Sequence, residues 1–272
     1  MTGAERGFLL LTSHLGDASR PVLTVAQFRI LAERIRCAEQ LADDRDLHLQ
    51  DLLSLGYSTE QAARILGLLQ DDELLRHYIS RGQRLDCVPV TRVTENYPLI
   101  VRQRLGQDSP GTLWAKGELS LLSQPAISLV GSRELRKDNY DFARAVGYHA
   151  AKQELVLVSG NARGADRAAQ EACLEAGGNV ISIVADELWK HPVRDHVLYL
   201  SEEDYDSPFT AQRALSRNRC IHTLGRMVFV AQSTYQKGGT WHGTRGDQCD
   251  PHGSRRWCCA QSGEWRLFLE CR

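Results

Sequence analysis

Residues 155–178, LVLVSGNARGADRAAQEACLEAGG, begin as an apolar run and continue as a helical pattern. The run at 155–159 predicts a buried strand, and residues 164–176 predict a helix that a pair of glycines ends. The turn between them contains Gly160 and Gly164. A glycine-containing turn from a strand into a helix is a place where backbone amides and a helix N-terminus can meet an anion. The stretch therefore predicts a strand–turn–helix unit with a candidate anion site at its turn.

The same alternation continues on both sides of this unit. Apolar runs at 126–130, 179–184 and 226–231 predict three more strands, and residues 139–153 and 211–224 predict helices. Short buried strands separated by helices favour a parallel sheet with helices on both faces. Ligands of such sheets bind at the loops that follow the carboxyl ends of the strands. The predicted fold class is α/β, with a doubly wound and mainly parallel sheet.

A small helical domain is predicted to precede the sheet, over residues 1–96. Thr24 is placed as the N-cap of one helix, and Ser58 with Gln61 resembles a capping box at the start of another. Two short helices around Gly56 allow two interpretations. They form either a helix-hairpin-helix that holds phosphates or a plain packing module, and the sequence leaves both open.

Three further segments complete the predicted organisation. Residues 97–125 are punctuated by proline and glycine and are predicted to be a connector. Residues 126–244 form the predicted sheet domain. Residues 245–272 form an atypical tail, with four of the eight cysteines, two of the five tryptophans and no clear helix or strand period. This tail allows a zinc site of poor spacing or a surface that stacks on nucleic acid.

Composition excludes some classes of protein. The chain has 272 residues, 42% of them hydrophobic and 25% charged, as in an ordinary globular protein. No apolar run approaches the roughly 18 residues of a membrane span, and no signal peptide is recognised, so a cytoplasmic protein without a membrane partner is expected. The net charge of −1 means that binding of nucleic acid would need local clusters of arginine. Four cysteines are expected to be reduced and mostly buried thiols: Cys37, Cys87, Cys173 and Cys220.

Four glycine or arginine features fall at one predicted edge of the sheet. They are VGSR at 130–133, SGNARGAD at 159–166, SRNR at 216–219 and KGGTWHGT at 237–244. Each alone has a plain interpretation as a turn, a helix cap or a surface ion pair, but their convergence suits a phosphate-rich ligand. The candidate binding residues are Ser132, Arg133, Gly160, Arg163, Gly164, Asp166, Arg217, Asn218, Arg219, Gly238 and Gly239.

Residues from about 51 to 244 resemble the DNA-processing protein A (DprA/Smf) family, which has a Rossmann-like fold. SGNARGAD resembles the family's S-G-x-A-x-G-x-D, and RNRCI resembles R-N-R-x-I. The resemblance implies that the candidate residues line a pocket for single-stranded DNA, with the arginines on phosphates. It implies a binding protein that protects single strands, loads a RecA-type recombinase in DNA uptake and recombination, and allows a homodimer. No cofactor, metal or catalytic residue is expected.

Departures from the family pattern indicate a divergent branch. Ala165 and Gln170 stand where the family commonly has isoleucine and histidine. A shift of reading frame after Thr244 would explain the abrupt change into the tail.

A rival interpretation is a nucleotide-binding sensor or a phosphoribohydrolase-like enzyme that uses the same phosphate pocket. KGGTWHGT resembles the P-G-G-x-G-T loop of such enzymes, but no glutamate follows Thr244 shortly afterwards. No Ser-His-Asp, HExxH or Walker pattern is recognised. The acidic run at 202–204 is expected to be a solvated turn.

Overall fold

The computed structural model of the chain describes residues 1–38, 46–232 and 257–259. Within these ranges the α-helices are α1 (Gly3–Thr12), α2 (Val25–Cys37), α3 (Leu49–Ser54), α4 (Thr59–Gln70), α5 (Asp72–Arg84), α6 (Leu99–Leu105), α7 (Lys137–Lys152), α8 (Ala165–Glu175), α9 (Ala211–Ser216) and α10 (Asn218–Leu224). The strands are β1 (Val88–Thr91), β2 (Thr112–Gly117), β3 (Ala126–Val130), β4 (Val156–Ser159), β5 (Val180–Ile183), β6 (Val197–Ser201), β7 (Val228–Val230) and β8 (Trp257–Cys259).

The strands form one sheet in the order β1-β2-β6-β5-β4-β3-β7-β8. Every neighbouring pair from β6 to β8 is parallel, whereas β1 and β2 pair antiparallel with each other and β2 pairs antiparallel with β6. The core order β5-β4-β3-β7 is that of a Rossmann-like sheet, in which the direction of winding reverses between β3 and β7. The predicted mainly parallel α/β fold is confirmed.

Helices cover both faces of the sheet, which explains why its strands are apolar throughout. On β4, Leu157 packs into the cluster that includes α7 and α8, while Val156 and Val158 pack on the opposite face against a cluster that includes α6 and α10. All three side chains are completely buried. A strand that is buried on both faces cannot alternate polar and apolar residues. This is the physical reason for the runs that the sequence shows.

The N-terminal helices have their own small core. Leu31, Leu52 and Ile65 belong to one buried cluster of α2, α3 and α4. The predicted helix starts are confirmed, because Thr24 begins α2 and Ser58 begins α4, each in a reciprocal capping box with a glutamine three residues later. Each box satisfies main-chain amides that the first helical turn leaves without a partner.

The sheet extends on both sides of the predicted boundaries. Residues 97–125 were predicted to be a connector, but they contain α6 and β2, and β1 precedes them. The strand β6 was also not predicted, and the tail contributes β8, which pairs in parallel with β7. The predicted helix at 211–224 is two helices, α9 and α10, which meet at Arg217.

The acidic run after β6 is only partly solvated, because Glu203 is exposed whereas Asp204 is buried. The Asp204 carboxylate is buried and accepts hydrogen bonds from the Ser13 hydroxyl (2.7 Å), the Leu15 amide (3.0 Å) and the Trp114 indole (3.2 Å). Burial raises the pKa of Asp204. The group therefore ties the chain after α1 to the sheet. Among the residues that the structure describes, no helix is both long enough and apolar enough for a membrane crossing.

Candidate anion-binding site at the carboxyl edge of the sheet

The loops after β3 and β4 touch through their main chains. Gly164 has a φ of +89°, and a Cβ there would lie 2.5 Å from the carbonyl oxygen of Ser132 and 2.6 Å from that of Arg133. The amide of Ala165 donates to the same Ser132 carbonyl at 3.1 Å. Glycine is needed because no other residue fits this conformation without a clash. The expected role of Gly164 in the approach of a ligand is thus replaced by close packing of one loop on the other.

This contact brings together the backbones of two loops that each carry an arginine. Arg133 and Arg163 each lie next to the touching residues, and both are exposed. The only ion pair that the described residues give Arg163 joins its Nη2 to Glu134 Oε1 at 4.0 Å, with the two side chains 76% and 90% exposed. A pair so exposed contributes little energy and is easily displaced. The two guanidinium groups are therefore available to an anion.

The loops after β3 and β4, with Arg133 and Arg163, are called the rim below. Arg217 lies beneath this rim, and its side chain is only 9% exposed. Its Nη1 donates to the carbonyl oxygens of Gly160 and Ile183, at the ends of β4 and β5. A Cβ on Gly160 would overlap the guanidinium group, so this glycine makes room for a side chain of the protein itself. Arg217 holds neighbouring strand ends together and presents little surface to a ligand.

Asp166 completes the buried group. Its Oδ2 accepts a hydrogen bond from the Ala162 amide at 3.2 Å and lies 3.9 Å from Nη2 of Arg217. Burial raises the pKa of Asp166, against the opposite effect of the arginine. Burial also lowers the pKa of Arg217, although a guanidinium remains protonated. Asp166 thus fixes the turn after β4 and partners a buried cation; it neither caps the first amides of α8 nor faces outward to a phosphate.

Arg219 points towards a different part of the edge. Its Nε and Nη2 donate to Glu202 at 3.1 and 2.8 Å, and its Nη1 donates to the Asp108 carbonyl at 3.1 Å. Asn218 begins α10 between the two arginines and is half-buried. The arginines of the RNR motif therefore lie at the predicted edge, but both are bound to protein groups.

Nine of the eleven candidate residues that were predicted to share one edge lie in the described part of the chain. Ser132 and Arg133 follow β3, Gly160 to Asp166 follow β4, and residues 217–219 lie where α9 meets α10. Gly238 and Gly239 lie outside the described residues, as does most of the tail in which a weak zinc site was considered. In the described part of the chain, no three His, Cys, Asp or Glu side chains are placed to hold a metal ion.

Two glutamines support the site without a signal in the sequence. Gln232, after β7, accepts hydrogen bonds through Oε1 from the Arg136 amide (3.1 Å) and the Asn139 side chain (2.8 Å), and its Nε2 donates to the Glu134 carbonyl (3.1 Å). It therefore holds the loop that carries Arg133.

Gln170 stands where a histidine was expected from the resemblance. Its amide donates to the hydroxyls of Ser159 (2.5 Å) and Ser182 (3.3 Å), which end β4 and lie near the end of β5. Only the tertiary structure brings these three side chains together. The substitution therefore keeps a polar link between α8 and the sheet.

The exposed arginines thus lie on loops at the carboxyl edge of a Rossmann-like sheet, which is where proteins of this fold class bind their ligands. A family model described as DNA recombination-mediator protein A matches residues 89–245. The match covers more than half of the chain, and the chain belongs to this family.

Curated relatives and a solved structure agree with the assignment. The chain is 34% identical over 142 residues to DNA processing protein DprA of Streptococcus pneumoniae, which is 48% of this chain and 50% of that protein. It is 30% identical over 142 residues to Protein Smf of Escherichia coli, 48% of this chain and 38% of that protein. The chain therefore spans about half the length, or less, of these curated relatives. The X-ray structure of DNA processing protein A from S. pneumoniae has the same fold, with a TM-score of 0.65, 24% identity and coverage of 87% of this chain and 86% of that chain.

Proposed function

We propose that the chain binds single-stranded DNA along the carboxyl edge of the sheet, with Arg133 and Arg163 as phosphate contacts. The observation that carries the proposal is the main-chain contact between the loops after β3 and β4, which brings together the backbones that carry two exposed arginines. Membership of a family of recombination mediators supports DNA as the ligand. Arginine suits the task because its planar fork matches phosphate oxygens.

Arg217 and Arg219 have a different role in this proposal. Arg217 holds the ends of β4 and β5, and Arg219 holds the acidic segment after β6. They keep the rim rigid and leave phosphate binding to the exposed pair. This revises the expectation that all four arginines contact phosphates.

The proposed function also includes protection of single strands and delivery of a recombinase to them. The chain would protect single strands in the cytoplasm and help to load a RecA-type recombinase on them, during DNA uptake or recombination. It would do so as a binding protein, and a homodimer would present two such rims. The family assignment supports this role, since the family is one of recombination mediators.

Binding of a fluorescent single-stranded oligonucleotide tests the proposal by anisotropy at several salt concentrations. Arg133→Ala and Arg163→Ala should each weaken binding by about tenfold, because a hydrogen bond to a charged group is lost. Each should also flatten the plot of log affinity against log salt by about 0.7, since one phosphate contact releases that many counterions from a single strand. The matched control is Arg144→Ala, which removes the same charge from an ion pair with Glu175 on the helical face of the sheet. Unchanged affinity and salt slope in both rim variants would overturn the proposal.

The same rim could instead bind the phosphate of one nucleotide, as in a sensor or a phosphoribohydrolase-like enzyme. Thermal shifts with nucleoside monophosphates, measured beside the oligonucleotide titration, separate the two functions. Stabilisation by a mononucleotide that depends on Arg163, without binding of the oligonucleotide, would favour the rival.

A further inference from the structure

A cavity lies among the N-terminal helices, between α2, α4 and the turn that joins α3 to α4. Its volume is about 350 Å³, just above the roughly 300 Å³ at which ligand pockets begin. Two arginines, two glutamines, three aliphatic residues, one tyrosine and one glycine line it. None of these described lining residues is acidic. The wall therefore combines apolar surface with positive charge.

The two arginines of this wall, Arg34 and Arg64, are held in place by main-chain oxygens. Nη1 of Arg34 donates to the Leu55 carbonyl at 2.9 Å. Arg64 donates through Nε to the Pro21 carbonyl at 2.6 Å and through Nη2 to the Val22 carbonyl at 2.5 Å. These partners are neutral, and they accept only part of the five N–H groups that each guanidinium offers. Both arginines are therefore positioned in advance and keep donors for an anion.

Apolar surface from α2 faces the same cavity. Gln27, Ile30 and Arg34 recur at spacings of three and four residues, which places them on one face of the helix. Ile30 is 45% exposed, whereas the other two aliphatic residues of the wall, Leu23 and Ile65, are buried. Ile30 thus offers apolar surface that a ligand can cover, one helical turn from a cation.

The turn beside the cavity is not built as a phosphate clamp. The amides of Gly56 and Tyr57 donate to carbonyls of α3 at 3.0 and 3.1 Å, and the Ser58 amide donates to the Gln61 side chain at 3.1 Å. Tyr57, the one aromatic residue among those that line the cavity, has the guanidinium carbon of Arg34 over its ring, 4.6 Å from the centroid. Single strands are bound on open aromatic rings. These contacts favour a packing module over a hairpin that holds phosphates, and a peptide over a nucleic acid.

We propose that this cavity binds an acidic peptide segment of a partner protein, in which carboxylates meet Arg34 and Arg64 and an apolar side chain covers Ile30. Arginine clusters recognise acidic motifs in this way, since a guanidinium matches the two oxygens of a carboxylate. Arginines that are already anchored reduce the cost of ordering on binding. The lining residues are separate from the rim, so the inference goes beyond the proposed function and does not depend on it.

Fluorescence anisotropy of labelled hexapeptides, titrated with the full chain, tests the assignment. The acidic probe has two central leucines with two aspartates on either side. One matched peptide has asparagine in place of the aspartates, and the other has serine in place of the leucines. The acidic probe should bind with an affinity that falls as salt is added. Each matched peptide should bind at least about fivefold more weakly, because it lacks the charged hydrogen bonds or the apolar contact.

Arg34→Ala and Arg36→Ala form a matched pair of variants on α2. Arg34→Ala should weaken binding of the acidic probe about tenfold, as for the loss of a hydrogen bond to a charged group. Arg36 lies outside the cavity wall and pairs with Glu33 at 2.6 Å, so Arg36→Ala should change the affinity less than about twofold. Equal effects of the two variants would contradict the proposal, as would equal binding of the acidic and asparagine peptides.

Ile30→Ser tests the apolar contact. It should weaken binding of the acidic probe about fourfold, as for one CH₂ group removed from a contact, and should leave binding of the serine peptide unchanged. Arg34 and Ile30 are both exposed, so these variants should fold, which thermal midpoints check. An equal loss with both peptides would show that Ile30 does not meet an apolar side chain.

The oligonucleotide titration separates this inference from the proposed function. Arg34→Ala should leave the affinity for the single strand unchanged. If the acidic probe does not bind, the inference is wrong, and a tenfold loss of oligonucleotide affinity in Arg34→Ala would then assign the cavity to nucleic acid. If the probe depends on Arg34 while Arg133→Ala and Arg163→Ala leave oligonucleotide binding unchanged, the peptide site stands and the proposed function fails.

Discussion

Arg163 and Arg217 are two arginines at one edge of one sheet, and their surroundings are opposite. The Arg163 side chain is 76% exposed and meets Glu134 at 4.0 Å. The Arg217 side chain is 9% exposed and meets two carbonyl oxygens and Asp166. One edge of a sheet can thus combine arginines that are available to a ligand with arginines that hold the scaffold. Side-chain burial separates the two roles, and residue type does not.

The largest expected difference between these arginines is in stability. Arg217→Ala leaves the Asp166 carboxylate buried without its cation and should lower the free energy of unfolding by about 3–5 kcal/mol. Arg163→Ala should change it by no more than about 0.5 kcal/mol, as for an exposed side chain. Urea denaturation at neutral pH measures both. A loss at Arg217 no greater than that at Arg163 would remove the distinction.

Substitution of Gly160 tests the contact between this glycine and the Arg217 side chain. Gly160→Ala places a methyl group where the Arg217 guanidinium lies, and the resulting overpacking should cost about 1–3 kcal/mol. The cost should shrink when Arg217 is already alanine, because the two changes act on one contact. Gly67→Ala in α4 is the control. Nothing lies within 4 Å of a Cβ there, so it should stabilise the chain by about 0.5–1 kcal/mol.

The smallest expected effect is a pH dependence of stability. It should differ between Asp166, the partner of Arg217, and Glu134, the partner of Arg163. Burial raises the pKa of Asp166, so the native state keeps a proton that the unfolded state loses above about pH 3.9. The stability from this proton is fully present below that pH and is lost as the pH rises through the raised pKa. Wild-type stability relative to Asp166→Asn should therefore fall as the pH rises above about 4. The Glu134 side chain is 90% exposed. The stability of Glu134→Gln should therefore change with pH in the same way as that of the wild type.

Local patterns predicted much of the fold correctly. The strands at 126–130 and 155–159 were visible because each is buried on both faces, and the starts of α2 and α4 were visible because capping boxes are local. Strand β6 was missed because residues 184–196 before it form no α-helix that would mark a crossover. Strands β1 and β2 were missed because they pair antiparallel at one side of the sheet, outside the strand–helix alternation, and because β2 follows a proline- and glycine-containing segment typical of a connector.

The sequence by itself determined that the VGSR and SGNARGAD motifs reach the carboxyl edge, because each directly follows a strand and parallel strands end on the same side. It did not determine which of them remain accessible. The burial of Arg217 depends on carbonyl oxygens of Gly160 and Ile183, 57 and 34 residues away in the chain. The buried Asp204 carboxylate likewise needs groups from the chain after α1 and from β2 at once. Exposure and pairing are sums over neighbours in space, and only the tertiary structure brings those neighbours together.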